Sequence, residues 1–338
     1  MEALHRGKQS VIFPNRPVLR AWASVVGKKE GEGPLGKRFD RVIPDGKYGE
    51  KTWEQAESAF QQTALELLLE KAALPQDQLE LVFSGDLLNQ CVGSSFALRR
   101  TGLPVLGLYG ACSTMAEGLL LAGAAVNAGY VRRAAALSSS HFAAAERQYR
   151  FPLAYGGQRT PTAQWTVTGA GAVLAERGGS GPVLTAATVG SVEDKGVTDA
   201  NNMGAAMAWA AYRSIRTHLE DLGRSPEDYD RIVTGDLGRL GSDLVRELFA
   251  GDGVKLGERY TDCGLLIFDP QTQDVHCGGS GAGCSAAVLA AELLPQLAAG
   301  RYRRLLFCGT GALLSPTTVQ QKRSIPAVCH CAAIEAEA

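Results

Sequence analysis

Apolar residues recur at helical spacing from Trp53 to Ala73 and again from Ala205 to Leu222, with charged and amide side chains between them. Each stretch predicts a helix, and each helix runs into a proline–acid turn, Pro75-Gln76-Asp77 and Pro226-Glu227-Asp228. A short apolar run follows that reads as a buried strand. The first is Leu81-Val82-Phe83-Ser84-Gly85-Asp86 with Leu87 behind it, the second Arg231-Ile232-Val233-Thr234-Gly235-Asp236 with Leu237 behind it. Further on, Ala111-Cys112-Ser113 opens an Ala/Leu-rich helix that ends at Ala128-Gly129-Tyr130, before Arg132-Arg133 and a strand from Ala134 to Leu137. Gly283-Cys284-Ser285 opens a similar helix that ends at Ala299-Gly300, before Arg303-Arg304 and a strand from Leu305 to Cys308.

The order helix, strand, helix, strand thus occurs twice, which predicts a duplicated α/β chain with helices covering mixed sheets. The expected halves are residues 1–177 and 178–338. Between the repeats, Ala144 to Gln164 holds two prolines and paired glycines and predicts no regular element. The alternation from Trp165 to Val173 predicts a strand, as does Asp274 to Cys277. A long ordered loop of this kind, here Tyr149 to Gln164, suits a lid or a subunit contact.

Composition narrows the function. The chain has 338 residues, 45% apolar and 20% charged, enough for a sizeable core. A net charge of −1 gives no basic footprint and argues against nucleic acid as a partner. Met1 to Ser10 has no apolar core of a signal peptide, and no apolar run approaches the roughly 18 residues of a membrane span. The eight cysteines form no CxxC pair, so free thiols in a reducing compartment are expected. Cys329, His330 and Cys331 stand alone without a facing ligand pair, and no metal site is expected.

Cys112 is the candidate for chemistry. It follows the predicted strand Leu103 to Tyr109 and a sharp turn, and Thr114 to Glu117 has the pattern of a capping box. Free N–H groups at a helix start favour a thiolate or a bound anion. A buried, inert cysteine is the equal alternative.

The strand–Gly110-Ala111-Cys112-Ser113–helix arrangement, the duplication, Gly278-Gly279-Ser280-Gly281-Ala282-Gly283-Cys284-Ser285-Ala286 and Cys308-Gly309-Thr310-Gly311 resemble the thiolase and ketoacyl-synthase superfamily. Within it the chain resembles the stage V sporulation AD (SpoVAD) family over nearly its whole length. Pro161 to Gly171, Ser139-Ser140-His141 and Asn202-Met203-Gly204 carry much of that likeness. The resemblance implies a thiolase-like fold in five layers, αβαβα, and a homodimer. It further implies a chain that is cytoplasmic and peripheral at the forespore or spore inner membrane. The chain would bind dipicolinic acid there, free or with Ca²⁺, and support its uptake with other SpoVA membrane proteins.

Acyl-transferring relatives set an imidazole or amide beside the cysteine for the oxyanion and the proton. Here the matching segments, Val233 to Gly238 and Gly278 to Gly283, contain no His and no Gly-Asn pair. No catalytic residue is therefore expected, and Cys308 and His276 read as structural. The alternative is an acyl-transferase or thioester hydrolase using Cys112, and a third reading is a structural subunit alone. The expected ligand-binding set is Asp86, Cys112, Ser113, Ser139, Ser140, His141 and Arg159, with Arg147 and Arg150 as further candidates for carboxylate pairing.

Overall fold

The computed structural model describes residues 4–149 and 158–337. Ten strands form the frame: β1 (Val18–Gly27), β2 (Leu81–Gly85), β3 (Val105–Leu108), β4 (Arg133–Ser140), β5 (Gly169–Glu176), β6 (Val183–Thr188), β7 (Arg231–Thr234), β8 (Tyr260–Asp262), β9 (Arg304–Ala312) and β10 (Ala327–Glu335). Seven helices matter for the site: α1 (Trp53–Lys71), α2 (Val92–Leu98), α3 (Thr114–Asn127), α4 (Phe142–Tyr149), α5 (Met203–Leu222), α6 (Gly238–Gly251) and α7 (Ala282–Val288).

The duplication is visible in strand order and direction. One set runs β3-β2-β4-β5-β1, the other β8-β7-β9-β10-β6. In each, the first three strands are parallel neighbours and the last two join antiparallel. Equivalent registers agree to the residue: Arg133 faces Glu176 where Arg304 faces Glu335. Hydrogen bonding passes from one set to the other at a single pair, Val183 with Val18.

Five layers follow from what each helix covers. Helix α1 packs on β1, β5 and β4, and α5 packs on β10 and β9. Between the two sheets lie α3 and α7, which touch each other. Helix α3 lies against β4 and β2 on one side and β9 and β10 on the other, and α7 lies against β5, β4 and β1. These central helices are rich in Ala and Gly because two sheets approach them at once: a Cβ on Gly171 of β5 would lie 2.3 Å from the Ala286 carbonyl oxygen of α7. The core they share includes Met115, Leu119, Val173, Val288, Phe307 and Ile334, all fully or almost fully buried.

Several expected boundaries differ. Phe142 to Tyr149 is a helix, so the irregular mid-chain segment begins later; Arg150 and the following residues to 157 lie outside the described residues. The stretch from Trp165 divides in two. Trp165–Thr166 pairs with Gly279–Ser280, and only from Gly169 does the chain join the large sheet. Asp274 to Cys277 is a loop, because His276 takes a left-handed backbone (φ 52°) that no strand accommodates.

Candidate functional site

The parallel strands β2, β3, β7 and the neighbouring β9 deliver their carboxyl ends to one side of the molecule, the position where α/β sheets open clefts. There Cys112 sits in a tight 3₁₀ turn, Ala111–Ser113, with Ala111 held at φ 52°. The turn is pressed against β9: a Cβ on Gly311 would lie 2.5 Å from the Gly110 carbonyl oxygen, so only glycine permits the approach. The capping box expected at Thr114 is absent. Ser113 Oγ instead donates to Gly110 O (2.7 Å) and Thr114 Oγ1 to Ala111 O (2.6 Å), because the 3₁₀ turn presents carbonyls to them.

The group nearest the thiol in character is Asp236, at the end of β7 and fully buried. Its Oδ2 accepts from Gly281 N (2.9 Å) and Ser280 Oγ (3.1 Å), and its Oδ1 from Thr310 Oγ1 (2.8 Å). The Cys112 thiol lies close enough to this carboxylate to feel its charge. Gln164 Nε2 holds the Asp236 carbonyl at 2.6 Å. Behind it, Asp262 fixes the whole turn, accepting from Thr234 Oγ1 (2.7 Å) and from the backbone N–H groups of Leu237, Gly238 and Gly264 (2.9–3.0 Å).

Burial pushes the Cys112 thiol well above its ordinary value, and the Asp236 carboxylate pushes it further. Burial also raises Asp236 itself, against the bonds from Gly281, Ser280 and Thr310, and carries Asp262 up to about 7. The helix-start reading of a stabilised thiolate therefore gives way: burial first and the carboxylate second oppose the charged form against the dipole.

The cleft over Cys112 is lined by Leu87, Ala145, Glu146, Tyr149, Thr166, Met203, Ser280 and Leu314, among others, and holds a volume of about 60 Å³. No histidine, arginine or lysine lines it among the described residues.

Of the expected binding set, only Cys112 faces this cleft. Ser113 is spent on the turn. Asp86 is buried and turns to α2, where it accepts from Ser94 N and Oγ (2.7 Å each) and from Leu88 N (2.9 Å). Ser139 donates to Glu57 Oε1 (2.9 Å) on the α1 side of the sheet, and Ser140 donates to Val167 O (2.7 Å) beneath the cleft floor. His141 packs between Trp53 and Phe60 with Nε2 at 2.7 Å from Gly46 O, and burial lowers its pKa. Arg159 pairs with Asp274 (2.9 Å) and lies over Trp165 in a separate basin with Arg239 and His276. Arg147 pairs with Glu54 on another face.

The expected binding set did not include Asp236, Ser280, Glu146 or Tyr149. For Asp236 the signal was present: it closes the repeat of Ser84-Gly85-Asp86-Leu87 and precedes the glycine-rich segment that donates to it.

Comparison with known proteins agrees with this geometry. The model of the family "Stage V sporulation protein AD (SpoVAD)" matches residues 7–335. The Stage V sporulation protein AD of Bacillus subtilis (strain 168) is 44% identical over 324 residues, covering 96% of each chain. Among solved structures, 3-oxoacyl-[acyl-carrier-protein] synthase III from Aquifex aeolicus VF5 is similar with a TM-score of 0.57 at 12% identity, covering 94% of this chain and 99% of that one. A single-residue variant of OleA from Xanthomonas campestris is similar with a TM-score of 0.61 at 14% identity, covering 96% and 99%. At such identities the solved structures speak for the fold alone. The duplicated five-layer architecture is thus thiolase-like, and the chain belongs to the stage V sporulation protein AD (SpoVAD) family.

Proposed function

We propose that this chain is a non-catalytic member of the thiolase-like fold that binds dipicolinic acid in the Cys112 cleft and supports its uptake into the developing spore, together with other SpoVA membrane proteins. One observation carries the non-catalytic part: the group facing the thiol is a buried carboxylate, Asp236, where acyl transfer needs a proton acceptor and donors aimed at an oxyanion. A carboxylate there repels both a thiolate and a developing oxyanion.

The same charge bears on the form of the ligand. Dipicolinate is a dianion, and the Asp236 carboxylate stands behind Cys112 while no Arg, Lys or His is among the described lining residues. The 1:1 calcium chelate is neutral and suits such a cleft better than the free dianion. No group of three His, Cys, Asp or Glu side chains among the described residues could hold a metal by itself, so the ion would arrive with the ligand.

No helix of the described residues is long and apolar enough to cross a membrane, in keeping with a peripheral role at the forespore or spore inner membrane. A homodimer would form at the free edge of β3, where Val105 and Leu106 are exposed beside Phe96 and Tyr109. The test is calorimetric titration with dipicolinate, with and without calcium, alongside intact-mass analysis after incubation with acyl-coenzyme A. Saturable heat and an unmodified mass are expected. An acyl adduct on Cys112, or no heat with either form, overturns the proposal.

A further inference from the structure

The edge of the fold opposite the thiol cleft is built alike in both halves. Register places the ends of eight strands along one line, β7-β9-β10-β6-β1-β5-β4-β2. At about 4.8 Å between strands this line is roughly 35 Å wide. It lies a strand's length from the cleft: the eight residues of β4 span roughly 25 Å.

Two glutamates sit in this edge, each ringed by three arginines. Glu176 receives Arg20 (2.7 Å), Arg133 (2.9 Å) and Arg132 (3.7 Å). Glu335 receives Arg224 (3.1 Å), Arg304 (3.3 Å) and Arg16 (3.6 Å). Each set of three guanidinium groups and one carboxylate sums to +2, which Glu80 beside Arg132 and Asp228 and Asp230 beside Arg304 reduce. The outermost arginines stand in solvent, with side-chain exposures of 63% for Arg132, 49% for Arg16 and 44% for Arg304. Tyr130, two residues before Arg132, is 79% exposed on the same edge, the most exposed large apolar side chain among the described residues.

We propose that this arginine edge is a docking face for an anionic lipid membrane. It rests on the membrane-peripheral part of the reading above and is independent of the ligand in the cleft. Three features favour a lipid surface. The face is broad and follows the strand ends, which suits an extended surface better than one small anion. The positive charge is local on a chain whose net charge is −1, which gives no long-range pull on a polyanion such as nucleic acid. An exposed tyrosine beside arginines suits the headgroup layer, where amphipathic rings and guanidinium groups both settle. Fixed glutamates hold the guanidinium groups in place, so little side-chain freedom is lost on docking.

Co-sedimentation of the full chain with vesicles tests this. Neutral phosphatidylcholine vesicles are compared with vesicles containing about one-third phosphatidylglycerol, at low and high salt. Binding to the anionic vesicles alone, weakened by salt, is expected. The combined Arg16→Gln, Arg132→Gln and Arg304→Gln variant leaves Glu176 with Arg20 and Arg133, and Glu335 with Arg224. Each basic side chain near an anionic surface contributes about fivefold, so the variant should lose binding on the order of a hundredfold. Circular dichroism monitors its fold; should it unfold, Arg132→Gln alone gives the fivefold reading. Equal binding to neutral vesicles, no vesicle binding by the parent, an unchanged variant, or capture of an oligonucleotide or acidic protein in place of vesicles each overturns the proposal. A parent chain that gives dipicolinate heat but binds no vesicles sinks this face alone; one that binds anionic vesicles but gives no dipicolinate heat sinks the ligand reading alone.

Discussion

Glu30 offers a quantitative check on the electrostatics of the interior. It follows β1, is 1% exposed, and its Oε1 accepts from Thr168 N at 2.9 Å. Burial raises its carboxyl from 4.5 to about 7, against the bonds from the backbone and the charge of Lys29. Between those values the folded chain keeps a proton that the unfolded chain has released, so folding is favoured below the window and weakened as pH rises through it. At about 1.4 kcal/mol per pH unit, the loss from pH 4.5 to 7 is about 3 kcal/mol. Glu30→Gln removes the titration while keeping an acceptor for Thr168. Urea unfolding of parent and variant from pH 4.5 to 8 reads the difference. The variant should gain about 3 kcal/mol on the parent across that range, with most of the gain in place by pH 7. Asp262, carried to about 7 in the same way, contributes equally to both proteins and cancels. Parallel stability curves for the two proteins would refute the reasoning.

Asp236→Asn removes the charge that opposes the thiolate, and iodoacetamide labelling of Cys112 at pH 8 should quicken by about tenfold or more; an unchanged rate would show that burial alone governs the thiol. Gly311→Ala places a Cβ 2.5 Å from the Gly110 carbonyl oxygen and should cost about 1–3 kcal/mol in urea unfolding while weakening dipicolinate titration; a neutral effect on both would contradict the close approach of β9 to the Cys112 turn. Leu106→Lys puts a charge on the open edge of β3 and should shift sedimentation from dimer to monomer at micromolar concentration; an unaltered dimer places the contact elsewhere.

The duplicated frame was legible because strand ends repeat in sequence: Ser84-Gly85-Asp86-Leu87 and Thr234-Gly235-Asp236-Leu237 close equivalent parallel strands, β2 and β7. The direction of the two aspartates was not legible. Asp86 meets the donors of Ser94 and turns outward, whereas Asp236 meets Gly281 and Thr310 and turns to the thiol. The donors to Asp236 stand 45 and 74 residues away in sequence. The serine run could have been read further. Strand alternation sends Ser138 and Ser140 to the α7 side and Ser139 to the α1 side, as their bonds to Ala282, Val167 and Glu57 show. For Ala144 to Gln164, counting prolines and glycines over the whole window concealed the helix at its start.

The shared middle layer has a consequence for the integrity of the chain. Helix α7 belongs to the second half in sequence yet roofs the sheet of the first, and α3 of the first half reaches across to β9 and β10 of the second. Severed near residue 177, each fragment would bare a greasy sheet to water, and neither would persist as a separate body. Melting should accordingly be a single all-or-none event, with the thiol cleft and the arginine edge lost together.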